Sequence, residues 1–224
     1  MKARLRSRTT LNDRLTWQCA SLTLSYPDGD RLDTAAELLT HIDGPAARHL
    51  AGTLDAVRAL SPREAAEAYV ATFDMRRRCT LYLTFWTAGD TRNRGQAMLE
   101  FARTYREAGV SPPDREAPDY LPVALEFAAN VDWDAGRRVL GAHRVAVDVL
   151  HRALCEAGSP YAMTVAAVLS TLPRGSESDE LSAQRLVAHG PPAEAVGLQP
   201  FTLTVPPRGR AGRTDAVAGR PGGR

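Results

Sequence analysis

The chain reads as all-α: a single helical bundle of roughly eight to ten helices, followed by a disordered basic C-terminal tail. Three observations carry that reading. Apolar residues make up 44% of the 224 residues but aromatics only 6%, with alanine and leucine dominant and without the β-branched runs that sheets use. Apolar side chains recur at helical spacing in one segment after another. No segment alternates apolar and polar residues with period two over a useful length, and no repeat of solenoid period stands out.

Taken in order, residues 1–9 are basic and expected to be loose. A first helix fits Asn12 to about Ser25, with Leu11, Leu15, Cys19 and Leu22 on one face, until Tyr26-Pro27 and Asp28-Gly29 stop it. Asp30 is expected to cap a second helix to Ile42, burying Leu32, Ala35, Ala36 and Leu39. Gly44-Pro45 opens a third, lined by Leu50, Leu54 and Val57. Ser61-Pro62-Arg63-Glu64 is a capping box, and the helix behind it turns Ala66, Tyr69, Val70 and Phe73 inward. Asp74–Arg78 is either a corner or a continuation. Arg78, Leu81, Tyr82 and Phe85 fit the next helical face, ended by Gly89. Asp90 is then expected to cap a helix through Met98, Phe101, Ala102 and Tyr105.

Residues 109–118 (GVSPPDREAP) form a loop, since three prolines and a glycine in ten residues prevent regular structure. Asp119 is expected to cap the short helix YLPVALEFAA. From Asp132 or Trp133 the longest helix runs to about Ala157. Its two adjacent stripes, Leu140, His143, Val147, Leu150, Leu154 and Val139, Ala142, Ala146, Val149, Ala153, predict burial over a wide arc at the bundle centre. Ser159-Pro160 starts another helix, ended by Pro173, and Ser178–His189 accommodates a short one. The expected division is a basic N-terminus at 1–9, a helical domain at 10–190 and a tail at 191–224.

Charge is unevenly distributed. The first eight residues carry +4 and residues 206–224 another +4, which leaves −6 on residues 9–205 of a chain whose net charge is +2. An acidic body argues against duplex nucleic acid and suits a basic peptide, although −6 is also ordinary solubility charge. Cys19, Cys79 and Cys155 are too scattered for a disulfide framework or a zinc site, as expected in a reducing compartment. Without a signal-peptide pattern or an 18-residue apolar run, the expected location is the cytoplasm.

Residues 69–106 (YVATFDMRRRCTLYLTFWTAGDTRNRGQAMLEFARTYR) hold three of six tyrosines, three of five phenylalanines and a tryptophan. YVATFDMRRRCTLYLT, then GDTRNRGQAMLEF, then PDYLPVALEF at Pro118–Phe127 resemble the NarJ family, relatives of the TorD and DmsD chaperones. The resemblance spans roughly Leu11 to Leu172. It implies a TorD-like bundle that is not an enzyme. It also implies binding to the N-terminal segment of the apo catalytic (alpha) subunit of respiratory nitrate reductase. The subunit is thereby held ready for insertion of molybdenum cofactor and iron–sulfur centres before membrane docking.

Among chemistry-bearing residues, His151 and Cys155 share a helix face at i,i+4, but only two ligands are visible and no metal or cofactor is expected. Arg76, Arg77 and Arg78 suit either an anion contact or ion pairs with Asp74 and its neighbours. Glu116-Ala117-Pro118-Asp119-Tyr120 admits two readings, a helix cap with its flanking loop or a docking point for a cationic peptide. The segment resembles the Glu-x-Pro-Asp loop of TorD-like chaperones, with Ala117 where leucine is expected. Candidate peptide-binding residues are therefore Tyr69, Asp74, Tyr82, Trp86, Glu116, Asp119, Tyr120 and Glu126, with Phe73 and Phe85 assigned to the core. Two other classes remain: a helical DNA-binding regulator using the basic ends, and an enzyme acting through Arg76–Arg78.

Overall fold

The computed structural model describes residues 2–89, 92–112 and 114–192, with side chains from residue 8 onward. Residues 193–224, most of the expected tail, and Asp90, an expected cap, lie outside the described residues. Among the described residues there are eleven α-helices and no strand: α1 (Lys2–Leu24), α2 (Gly29–Leu39), α3 (Pro45–Arg58), α4 (Pro62–Tyr69), α5 (Leu83–Ala88), α6 (Arg92–Glu107), α7 (Leu121–Asn130), α8 (Trp133–Ala142), α9 (Arg144–Glu156), α10 (Tyr161–Thr171) and α11 (Glu177–His189). No described helix is long and apolar enough to cross a membrane.

The start and stop signals act as elementary capping chemistry requires. Ser61 accepts from the Glu64 amide and Glu64 reaches back to the Ser61 amide, closing both orphan donors at the head of α4. Ser176 and Asp179 repeat the device on α11. Asp132 caps α8 through the Ala135 amide. The cap of α2 is Asp28, two residues ahead of the expected Asp30, and its carboxylate accepts from Arg31 N.

Three further expectations are corrected. Helix α1 begins at Lys2, ten residues before the expected Asn12. The long helix over 133–157 is two helices, because His143 leaves helical geometry at φ −102° and ψ 16°, ending α8 and starting α9. Gly141, a weak helix former, precedes that break, and it gives one helix more than the expected upper count. Residues 78–82 are not α-helical: a π-helical turn over Val70–Asp74 and a 3₁₀ turn over Arg77–Cys79 lead into extended backbone. That backbone bonds across the chain instead, with Leu83 N donating to Asp119 O at 3.0 Å and Leu121 N donating to Leu81 O at 2.9 Å.

The core centres on α1, α9 and α10. Helix α1 packs on α2, α3, α7 and α10, while α9 packs on α5, α10 and α11. Most of the two stripes read on 133–157 turns inward, with Leu140, Ala146, Val147, Val149, Leu150 and Leu154 buried, while Ala142 is exposed. Helices α7 and α8 approach so closely that any side chain at Gly136 would run into Ala128. Polar side chains inside α1 have partners: Ser21 Oγ donates to Pro122 O at 2.8 Å and Trp17 Nε1 to Thr171 Oγ1 at 2.7 Å.

Candidate functional site

The extended stretch before α5 and the loop before α7 are joined as an isolated antiparallel bridge between Tyr82 and Tyr120. Pairing places the two rings side by side, with centroids 5.4 Å apart. The Tyr120 hydroxyl lies 2.9 Å from that of Tyr69, whose own hydroxyl donates to Leu24 O at 3.0 Å. Tyr69 packs edge-on against Tyr26 at 5.5 Å, and Tyr26 is half exposed. A ladder of phenols therefore runs from the surface at Tyr26, through the buried Tyr69, to the half-buried pair Tyr120 and Tyr82. At its far end the Arg94 guanidinium sits over the Tyr82 ring, 5.3 Å from its centroid.

Carboxylates border this ladder. Burial pushes the Tyr82 phenol up, and Glu116, Asp119 and Asp74 push it further while Arg94 opposes them. The Tyr120 phenol is raised first by burial and then by Glu116, against the hydrogen bond it shares with Tyr69. Burial, then Tyr120, raises Tyr69 as well. All three phenols thus stay protonated at neutral pH, keeping a donor on each ring beside the exposed carboxylates Asp74 and Glu116. The face offers aromatic surface, neutral hydroxyls and negative charge, which is what a cation on an apolar stem requires.

Asp119 sits beneath the face and is fully buried. Its Oδ2 accepts from Thr84 Oγ1 at 2.5 Å and Thr84 N at 3.2 Å, with Arg94 3.9 Å away. The expected cap on α7 therefore acts on α5, and Tyr120 stands at the head of α7 without a side-chain cap. Burial removes Asp119, Tyr69 and Trp86 from direct contact with a partner in this structure. Trp86, 3% exposed, faces α9 and α11 beside Arg78, Val149, Ala153 and Leu186. Glu126 is exposed on α7 and takes no part in the ring contacts or hydrogen bonds of the ladder. The structure thus brings together Tyr69, Asp74, Tyr82, Glu116, Asp119 and Tyr120, and leaves Trp86 and Glu126 elsewhere.

The arginine triplet does not converge on one point. Arg76 Nη1 donates to Ala157 O at 3.4 Å, the Arg77 guanidinium lies over Phe85 at 5.2 Å, and Arg78 borders the Trp86 gap. His151 and Cys155 do meet, at 3.6 Å, and no group of three metal-capable side chains is present among the described residues. Sequence reasoning missed Thr84, Arg94 and Tyr26. A signal existed for Thr84: it is the one aliphatic hydroxyl inside the apolar run LYLTFW, and such a group needs a partner when buried.

Comparison with known proteins gives the chain its family. The family described as nitrate reductase delta subunit matches residues 39–167, more than half of the chain. The nitrate reductase-like protein NarX of Mycobacterium tuberculosis is 59% identical over 157 residues, 70% of this chain but only 24% of that protein. The chain thus spans about a quarter of that relative's length. A Bacillus subtilis protein named as the nitrate reductase molybdenum cofactor assembly chaperone NarJ is 32% identical over 167 residues, covering 73% of this chain and 91% of that one. A redox enzyme maturation protein from Archaeoglobus fulgidus has the same fold, with a TM-score of 0.55, 23% identity and coverage of 70% of this chain and 91% of that one. By the extent of these matches, the chain belongs to the nitrate reductase delta subunit family, alongside NarJ.

Proposed function

We propose that this chain is a cytoplasmic assembly chaperone for a respiratory nitrate reductase, a binding protein and not a catalyst. Its client is the apo catalytic subunit, engaged at an N-terminal segment while molybdenum cofactor and iron–sulfur centres are inserted. The observation that carries the reading is the Tyr82–Tyr120 pair, flanked by Asp74 and Glu116 and held in a family whose NarJ member is named for this task. A cationic side chain of the client lies across the phenol rings and its charge meets the two carboxylates. The apolar side chains around it settle on the exposed part of the ladder at Tyr26. The acidic body then also raises the encounter rate with a basic segment.

The test is calorimetric titration of the full chain with a peptide copying the N-terminus of the cognate catalytic subunit, beside a scrambled peptide. Micromolar or tighter binding to the native order alone is expected. Equal binding to both peptides, or to neither, overturns the reading.

A further inference from the structure

We infer that Thr84 is a positioning residue for the tyrosine face, acting through the sealed carboxylate of Asp119. The inference rests on the peptide-binding reading above for its functional half, and on geometry alone for the rest. Thr84 and Asp119 are both fully buried. Asp119 Oδ2 receives two donors from one residue, the Thr84 hydroxyl at 2.5 Å and the Thr84 amide at 3.2 Å, while Oδ1 has no hydrogen-bond partner among the described residues. The carboxylate is thus under-supplied already, and the Thr84 hydroxyl is its shortest bond. Losing that bond leaves a buried anion with one long amide contact and Arg94 at 3.9 Å.

What the lock holds is the face itself. Asp119 is next in sequence to Tyr120, and Thr84 lies two residues after Tyr82. Around the bridge Tyr82–Tyr120 the backbone is pinned by Leu83 N to Asp119 O and Leu121 N to Leu81 O. The side-chain bond closes the same seam a third time, from within. With the hydroxyl gone, the anion gains by moving toward water, and it carries Tyr120 and the Glu116–Pro118 loop with it. The ring pair then loses its spacing and Glu116 its place beside Tyr82. Thr84 sets this geometry without touching the client, which separates it from Tyr82, Tyr120, Asp74 and Glu116.

The experiment compares the full-length parent with Thr84→Val, which keeps the shape and lacks the hydroxyl, Thr84→Ser, which keeps the hydroxyl, and Asp119→Asn, which keeps the acceptor and loses the charge. Two quantities are measured on each: affinity for the N-terminal client peptide, and amide hydrogen exchange at Leu83 and Leu121. Thr84→Val is expected to weaken binding about tenfold and to speed exchange at both amides. Thr84→Ser should restore both to within about twofold of the parent. Asp119→Asn should bind far better than Thr84→Val, since position and not charge is what the buried group supplies. Parent-like exchange in Thr84→Val, or a serine variant as impaired as the valine one, overturns the proposal. So does loss of melting temperature with affinity intact. If Thr84→Val fails to fold, Thr84→Ser and Asp119→Asn still decide, because both must keep the seam closed. If the parent binds no peptide, the reading of function fails while the exchange data still judge the lock.

Discussion

The interior around α9 and α10 and the seam beneath the tyrosine face are both buried, and they are held in opposite ways. In the first, the buried side chains are mostly apolar, Ala146, Val147, Leu150, Leu154, Val165, Ala167 and Val168 among them, and the Thr164 hydroxyl buried with them has no hydrogen-bond partner among the described residues. Stability there comes from area removed from water and from fit, and neighbours share the load. In the second, Tyr69, Thr84 and Asp119 are equally deep but are held by a few short hydrogen bonds. Fit tolerates small changes of shape and punishes lost volume. A hydrogen-bonded seam tolerates lost volume poorly too, and it also punishes the loss of one atom. The difference suits their tasks, since a scaffold needs bulk cohesion and a binding face needs fixed distances.

The sharpest way to separate the two is to damage the first. Leu150 is 1% exposed at the centre of the α9 stripe. Leu150→Ala should cost about 2–5 kcal/mol and lower the melting temperature by on the order of 10 °C. Affinity of the remaining folded protein for the client peptide should stay unchanged. A matching loss of affinity would show that the face depends on the whole core, and the contrast would dissolve.

Damage to the seam should read differently. Tyr69→Phe keeps the ring but removes the hydroxyl that donates to Leu24 O and meets Tyr120. About 1–3 kcal/mol of stability should be lost, because a buried carbonyl is left without its donor. Here affinity should fall as well, since Tyr120 loses the contact that fixes its tip. Thermal melts beside peptide titration distinguish this outcome from the Leu150 one.

How much of each region was legible in the sequence follows from the same contrast. The stripe along α8 and α9 is written in local periodicity, so Leu140, Val147, Leu150 and Leu154 follow from spacing alone. The capping box at Ser61 was equally local. The seam was not legible, because residues 81–83 take their hydrogen bonds from 119–121, and no helical pattern in LYLTFW records a partner so far along the chain. For the same reason Asp119 read as a cap on the helix that follows it, while the structure uses it on α5. Trp86 read as groove lining because an aromatic run has no preferred face until its packing is known; α9 and α11 cover it. His143 ended α8 where the apolar stripe continued without interruption, since periodicity reports which side is buried and not where the axis bends.

A smaller effect concerns pH. Burial holds the Asp13 carboxyl up at about 6, against the pull of Arg137, compared with 3.8 for a free aspartate. Between those two values the folded chain binds more proton than the unfolded one, so this group's stabilisation is complete below the lower value and lost as pH rises through the upper. Asp13→Asn cannot ionise. Its melting temperature should exceed the parent's near pH 7.5 and converge toward it below about pH 4. A gap that widens on acidification would reverse the sign and assign Asp13 a net favourable pair with Arg137.

The smallest expected effect is the most specific to the face. Asp74 and Glu116 are exposed, so neither holds up the fold, and replacing them should leave the melting temperature within error. Each carboxylate works across water, where one ion pair is worth about 0.2–1 kcal/mol. Glu116→Gln and Asp74→Asn should therefore weaken peptide binding only about two- to fivefold apiece, and the deficit should shrink as salt rises, because screening removes in the parent what the mutation removes in the variant. Glu126→Gln supplies the internal standard, being an exposed carboxylate on α7 outside the ladder. Should Glu126→Gln weaken binding as much as Glu116→Gln, the client would be sensing the acidic body as a whole, and the tyrosine face would lose its claim to be where the cation sits.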